Sequence, residues 1–201
     1  FYINNKKKFN LIINIFYPSS KLSSIDNYQI FFDLSINNLS SILDGINQRY
    51  LNKIIYTSSS SIYGSINEHS YSDDINNRQL YSSAKLLNEI TLNNFCQKKK
   101  IQLIITRLFN MYGENENFSI IHKLITNIKE KKKITIYNNG DSIRDFIHVN
   151  DVCKIYAKLL NSKESNIYDV GSGNGTKIKD IISFLKIPKN KLIYIKKNIN
   201  E

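Results

Sequence analysis

The chain has 201 residues, 41% of them hydrophobic, with 28 Lys and Arg against 17 Asp and Glu for a formal net charge of +11. That length suits one domain, or one and a part, with room for a sizeable core. No run approaches the roughly eighteen uninterrupted apolar residues of a membrane span, and the opening FYINNKKKFNLII has neither the apolar centre nor the cleavage site of a signal peptide. A soluble, cytoplasmic protein without membrane contact is expected.

The positive charge invites a nucleic-acid reading, but the composition argues against it. Lys is abundant together with Asn and Ile, while Ala84 and Ala157 are the only alanines, a skew that points to AT-rich codons rather than a designed basic face. The basic runs Lys6–Lys8, Lys98–Lys100 and Lys131–Lys133 fall at expected element ends, where solvated helix termini account for them. Aromatic residues do not interleave with them as stacking platforms would. Cys96 and Cys153 stand in unlike contexts and read as free, mostly buried thiols. His69, His122 and His148 have no second ligand at helical offset, so no metal site is expected. The first residue is Phe1 and the only methionine is Met111, so an upstream segment is expected.

In chain order, FNLIINIFY at 9–17 predicts a buried strand, and 36–49 has helical apolar spacing. KIIYTSS at 53–59 predicts a β-branched strand running into a polar stretch. Residues 81–97 predict a helix with Ala84, Leu87, Ile90, Thr91 and Phe95 on its inner face. A strand over 101–109 follows, then a helix over 118–130 with Ile121, Leu124, Ile125 and Ile128 inward, and a strand and turn over 133–140. The chain closes with a helix over 151–160, a strand into a glycine turn over 166–173, and a helix over 176–185 capped by Thr176. Strands alternating with helices predict an α/β fold, a parallel sheet with helices on both faces. Ligands of such sheets bind beyond the carboxyl ends of the strands, which is where the polar run after residue 57 falls.

Tyr81 and Lys85 lie one helical turn apart on one face. A tyrosine alone is a poor base at neutral pH, since it titrates near 10; a neighbouring ammonium favours its phenolate. The pair belongs to a series: SIN at 35–37, TSSSSIYG at 57–64, YSSAK at 81–85, RLFNMYG at 107–113, SIRDFIHVNDV at 142–152 and YDVGSGNGT at 168–176. In this order and at these separations the six motifs resemble the extended short-chain dehydrogenase/reductase family, in its NAD-dependent nucleotide-sugar epimerase/dehydratase branch, over roughly residues 9–186.

The resemblance implies a Rossmann-type sheet, with about 1–113 forming mainly a partial Rossmann core and about 114–201 mainly a small substrate lobe, the chain crossing back between them. It implies Ser59, Tyr81 and Lys85 as catalytic and cofactor-contacting residues, Asn37 and Phe109 beside the cofactor, and Asn110 and Arg144 on the substrate. A surface Arg144–Asp145 pair is the alternative for Arg144. Arg107, Asp145, His148 and Asp151 are expected to hold the structure, and the glycines of GSGNGT to make a turn. The cofactor implied is NAD, with NADP open, the substrate a nucleotide sugar, and the full-length assembly a homodimer.

In the dehydratases of this branch an Asp-Glu pair follows the catalytic hydroxyl; here Ser60 and Ser61 stand in those places. That favours 4-epimerisation through a 4-keto sugar, in surface polysaccharide precursor synthesis. A nucleotide-sugar 4-reductase and a catalytically silent binding remnant remain alternatives, with a basic nucleic-acid module a distant third. The family's glycine fingerprint would precede all these motifs, so the chain reads as N-terminally truncated. Phe16 and Tyr17 are bulky where relatives carry small residues against the cofactor.

Overall fold

The computed structural model describes residues 7–15, 28–64, 73–114 and 116–196. In chain order these form β1 (Phe9–Ile13), α1 (Tyr28–Phe32), α2 (Asn38–Gly45), β2 (Leu51–Ser59), α3 (Asp73–Lys99) and β3 (Gln102–Leu108). Then come β4 (Asn110–Tyr112), α4 (Ile120–Lys129), β5 (Ile134–Tyr137), β6 (Ile143–His148) and α5 (Val149–Asn161). The chain ends with β7 (Asn166–Val170), β8 (Gly175–Lys177), α6 (Ile178–Phe184) and β9 (Leu192–Ile195). It divides into two compact units, Phe1–Leu108 with Lys154–Val170, and Phe109–Cys153 with Gly171–Glu201.

The first unit is a four-stranded sheet in the order β1–β2–β3–β7, every pairing parallel. Parallel strands are buried on both faces and read as continuous apolar runs; β2 is such a run, buried at all but one of its first eight positions. Its alternation sends Ile54 and Tyr56 to one face, where they pack with Leu39, Leu43, Leu92 and Cys96 of α2 and α3. Ile55 goes to the other, against Ile104 and Ile155, Tyr156 and Leu159 of α5. Helices on both faces of a Rossmann-type sheet are therefore present. Ser59 closes β2 and Leu108 closes β3 in the same register, placing the polar run at the carboxyl edge.

In the second unit β6 pairs with β4 in parallel and with β8 in antiparallel fashion, and β5 pairs with β9 in parallel. Leu124 of α4 and Ile182 of α6 cover Ile134, Ile136 and Ile187. Ser119 caps α4, its hydroxyl accepting from His122 N at 3.0 Å, and the Glu116 carboxylate takes the N–H groups of Phe118 and Ser119.

Several expectations are corrected. β1 ends at Ile13, and residues 16 and 17 of the expected strand lie outside the described residues. On α3 the buried stripe is Ser82, Ala84, Lys85, Asn88, Glu89, Leu92 and Cys96, while Leu87 and Ile90 are exposed. The inner face carries polar groups that the sheet edge satisfies, so apolar spacing pointed to the neighbouring stripe. On α4 only Leu124 is buried, with Ile125 and Ile128 exposed. Thr176 does not cap α6: it pairs with Arg144 in β8, and Lys177 takes the cap position without a side-chain hydrogen bond. Cys96 is buried and free, but Cys153 is exposed. Strands β4, β6, β8 and β9 are short and carry little periodic signal. Among the described residues no helix is long and apolar enough to cross a membrane, and no group of three or more His, Cys, Asp or Glu could hold a metal.

Candidate active site

At the end of β2 the backbone turns into a single 3₁₀ turn over Ser60–Tyr63. The Ser59 hydroxyl accepts from Ser61 N at 3.2 Å and from Ser61 Oγ at 3.0 Å. It also lies close enough to the Tyr81 phenol to favour that group's ionised form, so the two sequence-predicted hydroxyls are neighbours. One turn further along α3, the Lys85 ammonium donates to Ile15 O at 2.6 Å and to Thr57 O at 2.9 Å. These bonds tie α3 to the ends of β1 and β2 and leave one of the three ammonium protons uncommitted among the described residues. Lys85 also faces two aromatic rings, with Nζ 5.3 Å from the Tyr56 centroid and 5.9 Å from that of Tyr81.

Burial governs both titrations. It lowers Lys85 to about 8, against which the Glu89 carboxylate pulls upward. It raises the Tyr81 phenol above its ordinary value, with the Ser59 hydrogen bond pulling the other way. In the protein alone, desolvation of the phenolate is thus the larger influence on Tyr81, and the expected lowering calls for the nicotinamide cation acting together with Lys85.

Behind these residues lie groups that the sequence reading did not single out. Asn88 Nδ2 donates to Ser35 O at 2.7 Å and to the Tyr56 hydroxyl at 3.1 Å. Its Oδ1 and the Ser58 hydroxyl have no partner among the described residues. With Ile15, Ser35, Tyr81, Ala84 and Lys85, Asn88 lines a small cavity. Glu89 is buried and receives Arg107 through both oxygens, at 3.2 and 2.8 Å, which raises the Arg107 guanidinium above its ordinary value. Arg107 in turn covers the Tyr63 ring at 4.9 Å, and the Tyr63 hydroxyl donates to Asp169 at 2.7 Å. Asn88 and Glu89 sit three and four residues after Lys85, a spacing that could have revealed them. Tyr56 carried no such signal.

The remaining predicted residues are placed as follows. Asn37 is exposed in a π-helical turn over Asp33–Asn37, its amide donating to Asp33 at 2.6 Å. Phe109, Asn110 and Arg144 belong to the second unit. Phe109 is half-buried, and Asn110 Nδ2 donates to Asp145 O at 3.2 Å. Arg144 is exposed on β6, with Nη1 on Ile143 O at 2.7 Å. The Asp145 carboxylate accepts from Ser172 N and Oγ, both at 2.7 Å, and from Gly173 N at 2.8 Å. Burial works to raise this carboxyl, but those bonds outweigh it and hold it below its usual range. A Cβ on Gly171 would fall 2.5 Å from Asp145 Oδ2, and Gly173 has a φ of +78°, so these glycines serve the turn. Arg107 and Asp145 hold structure as expected, and His148 Nδ1 accepts from Asn150 N at 3.2 Å. Phe16 and Tyr17, expected against the cofactor, lie outside the described residues.

These donors suit a dinucleotide at the nicotinamide end: a hydroxyl pair and a partly satisfied ammonium converge at a strand terminus, where ribose hydroxyls and a reacting alcohol find partners. The chain is similar to several known proteins. The chain is 30% identical over 146 residues to the ADP-L-glycero-D-manno-heptose-6-epimerase of Brachyspira hyodysenteriae, covering 67% of this chain and 46% of that one. It is 26% identical over 185 residues to the dTDP-D-glucose 4,6-dehydratase of Dictyostelium discoideum, covering 85% and 43%. The crystal structure of UDP-glucuronic acid 4-epimerase from Bacillus cereus with UDP-glucuronic acid and NAD superposes with a TM-score of 0.73 at 25% identity, over 90% of this chain and 60% of that one. The chain thus spans about half the length of the curated relatives it matches. A family model for the NAD dependent epimerase/dehydratase family matches residues 2–171, and the chain belongs to that family.

Proposed function

We propose that the protein is an NAD-dependent nucleotide-sugar epimerase working at the sugar 4-position through a 4-keto intermediate. The observation that carries this reading is the cluster of Ser59, Tyr81 and Lys85 at the carboxyl end of β2. NAD, when bound, supplies the acceptor and donor of a hydride. Tyr81 takes the proton of the sugar hydroxyl as general base and returns it when the ketone is reduced from its other face. Ser59 bonds the same sugar oxygen and holds it against Tyr81. Lys85, fixed by two carbonyls, keeps a positive charge beside the phenolate and so offsets the burial that disfavours it. In the second unit Arg144, a planar multi-donor group, suits the nucleotide diphosphate, and Asn110 offers it a further amide.

Ser60 and Ser61 favour epimerisation over dehydration, because a hydroxyl does not protonate a departing oxygen as a carboxylic acid does. A role in surface glycan precursor synthesis accords with a relative named as a low-salt glycan biosynthesis protein. The test uses protein from the complete open reading frame with UDP-glucose and UDP-galactose and no added reductant. Interconversion that Tyr81→Phe abolishes is the expected result. No interconversion, but stoichiometric oxidation of NADH by a nucleotide 4-keto sugar, would replace the epimerase by a reductase, and nucleotide-sugar binding without turnover would reduce the site to a binding function.

A further inference from the structure

Two tyrosines flank the Lys85 ammonium, yet their surroundings differ. Tyr81 lies beside Ser59 at the strand end. Tyr56 is fully buried in the sheet face under α3, and its hydroxyl oxygen accepts the Asn88 amide. Asn88 is itself 1% exposed and holds Ser35 O with the same nitrogen, so the ring has little freedom to turn away. Burial keeps the Tyr56 phenol protonated well above its ordinary range; the Asn88 bond pulls against it, and the smaller Tyr81 and Glu89 charges add to the rise. A tyrosine that stays neutral cannot compete with Tyr81 for a substrate proton. What it offers Lys85 is the electron-rich face of its ring, within the roughly 6 Å at which a cation is attracted.

We propose that Tyr56, locked by Asn88, is a positioning residue whose ring holds the Lys85 ammonium in its charged form opposite Tyr81. The titratable groups facing Lys85 are Tyr81 and Glu89 from α3 and Tyr56 from β2, and Glu89 is already engaged by Arg107. Ile15 O and Thr57 O fix where the ammonium sits, and the ring adds attraction that exists only while Lys85 is protonated. Removing it should move the proton equilibrium of Lys85 without disturbing its hydrogen bonds. This deepens the catalytic reading of Lys85, but its test reads the lysine proton itself and does not depend on turnover.

The experiment is a pH titration by NMR of the chain labelled at lysine ¹³Cε, the Lys85 signal being the one missing in Lys85→Met. Position 56 is changed first by Tyr56→Phe and then to phenylalanines bearing one, two and three ring fluorines, near-isosteric changes that drain the ring face of electron density while keeping the packing. Tyr56→Phe should leave the Lys85 midpoint close to that of the native protein, because the ring is retained. Fluorination should lower it stepwise, by about one unit in total. A midpoint that is flat across the fluorinated series, with circular dichroism unchanged, overturns the proposal. So does a fall on Tyr56→Phe with no further change on fluorination, since the hydroxyl would then be what matters. A turnover assay adds an independent reading: an intact titration series alongside an inactive enzyme would refute the proposed function and leave the Tyr56 device standing.

Discussion

The two ends of β2 each hold a buried lysine, and they are satisfied in different ways. Near the start of the strand, Lys53 is 2% exposed, and its ammonium donates to Leu159 O, Leu160 O and Ser162 O at 3.1, 2.7 and 2.6 Å. Three protons meet three carbonyls at the carboxyl end of α5, where a cation also suits the helix dipole. At the far end, Lys85 is 5% exposed but has two carbonyls and two ring faces. Burial disfavours the charge on both. A saturated ammonium can only hold a structure together; one left with a proton to share, beside a phenol and a serine, can take part in chemistry. The difference separates the scaffold end of the sheet from its reactive end.

The sharpest way to break this comparison is to remove each cation in turn. Lys85→Met should lower turnover by about 10²–10⁴-fold, measured as UDP-glucose and UDP-galactose interconversion at neutral pH. Lys53→Met should leave turnover per folded molecule nearly unchanged. Comparable activity losses from both would erase the distinction.

A second test concerns pH. The folded-state value of Lys85 lies near 8 and an unfolded lysine titrates near 10.4. Between those limits the unfolded chain binds more protons than the folded one, so stability contributed through this group rises with pH. Comparing urea unfolding of the native protein and Lys85→Met at pH 7.5 and pH 10.5 cancels what the tyrosines and other lysines do. The difference should move in favour of the native protein by about 3 kcal/mol. A constant difference would mean that burial does not depress this lysine. Next in size is the structural role of Lys53. Lys53→Met leaves Leu160 O without this donor, while Leu159 O keeps Ser162 N and Ser162 O keeps Gln102 Nε2, and should cost roughly 1–3 kcal/mol of unfolding free energy. An unchanged urea midpoint would show that the three hydrogen bonds contribute little net stability.

Much of the reactive end was legible in the sequence, because its residues are local. Ser59 follows a β-branched strand, and Tyr81 and Lys85 share a helical face, so motif and periodicity place them without knowledge of what they touch. What pairs across the chain was not legible. Lys53 finds its carbonyls more than a hundred residues away, and Tyr56 reaches Asn88 across 32. Polar residues turned toward the sheet also misled the apolar periodicity. On α3, Lys85, Asn88 and Glu89 lie inward while Leu87 and Ile90 face outward, so the hydrophobic stripe and the buried stripe are different faces of one helix. The roles of Asn110 and Arg144 remain a matter of family pattern. Asp145, beside them, was expected from the same pattern to hold structure, and its carboxylate is taken by the Ser172–Gly173 turn.

A third set of lysines completes the contrast and gives the smallest effect. Lys100, Lys131 and Lys186 follow α3, α4 and α6 with φ of 54°, 55° and 53°, the left-handed conformation that usually selects glycine after a helix. Each closes a terminal turn: Ile101 N donates to Cys96 O at 2.9 Å, Lys132 N to Asn127 O at 2.9 Å, and Ile187 N to Ile182 O at 3.2 Å. These side chains are exposed, so their charge meets water and only the backbone is constrained. A side chain in that conformation costs about 1–2 kcal/mol, offset in part by the extra unfolded-state freedom of glycine, about 0.5–1 kcal/mol. Lys100→Gly, Lys131→Gly and Lys186→Gly should therefore each stabilise the fold by about 0.5–1 kcal/mol, read as a raised urea midpoint at constant slope. A midpoint that stays put or falls in all three would mean that these lysines hold their helix ends through the side chain. The high lysine content would then be part of the architecture at every helix end, and not only at the two ends of β2.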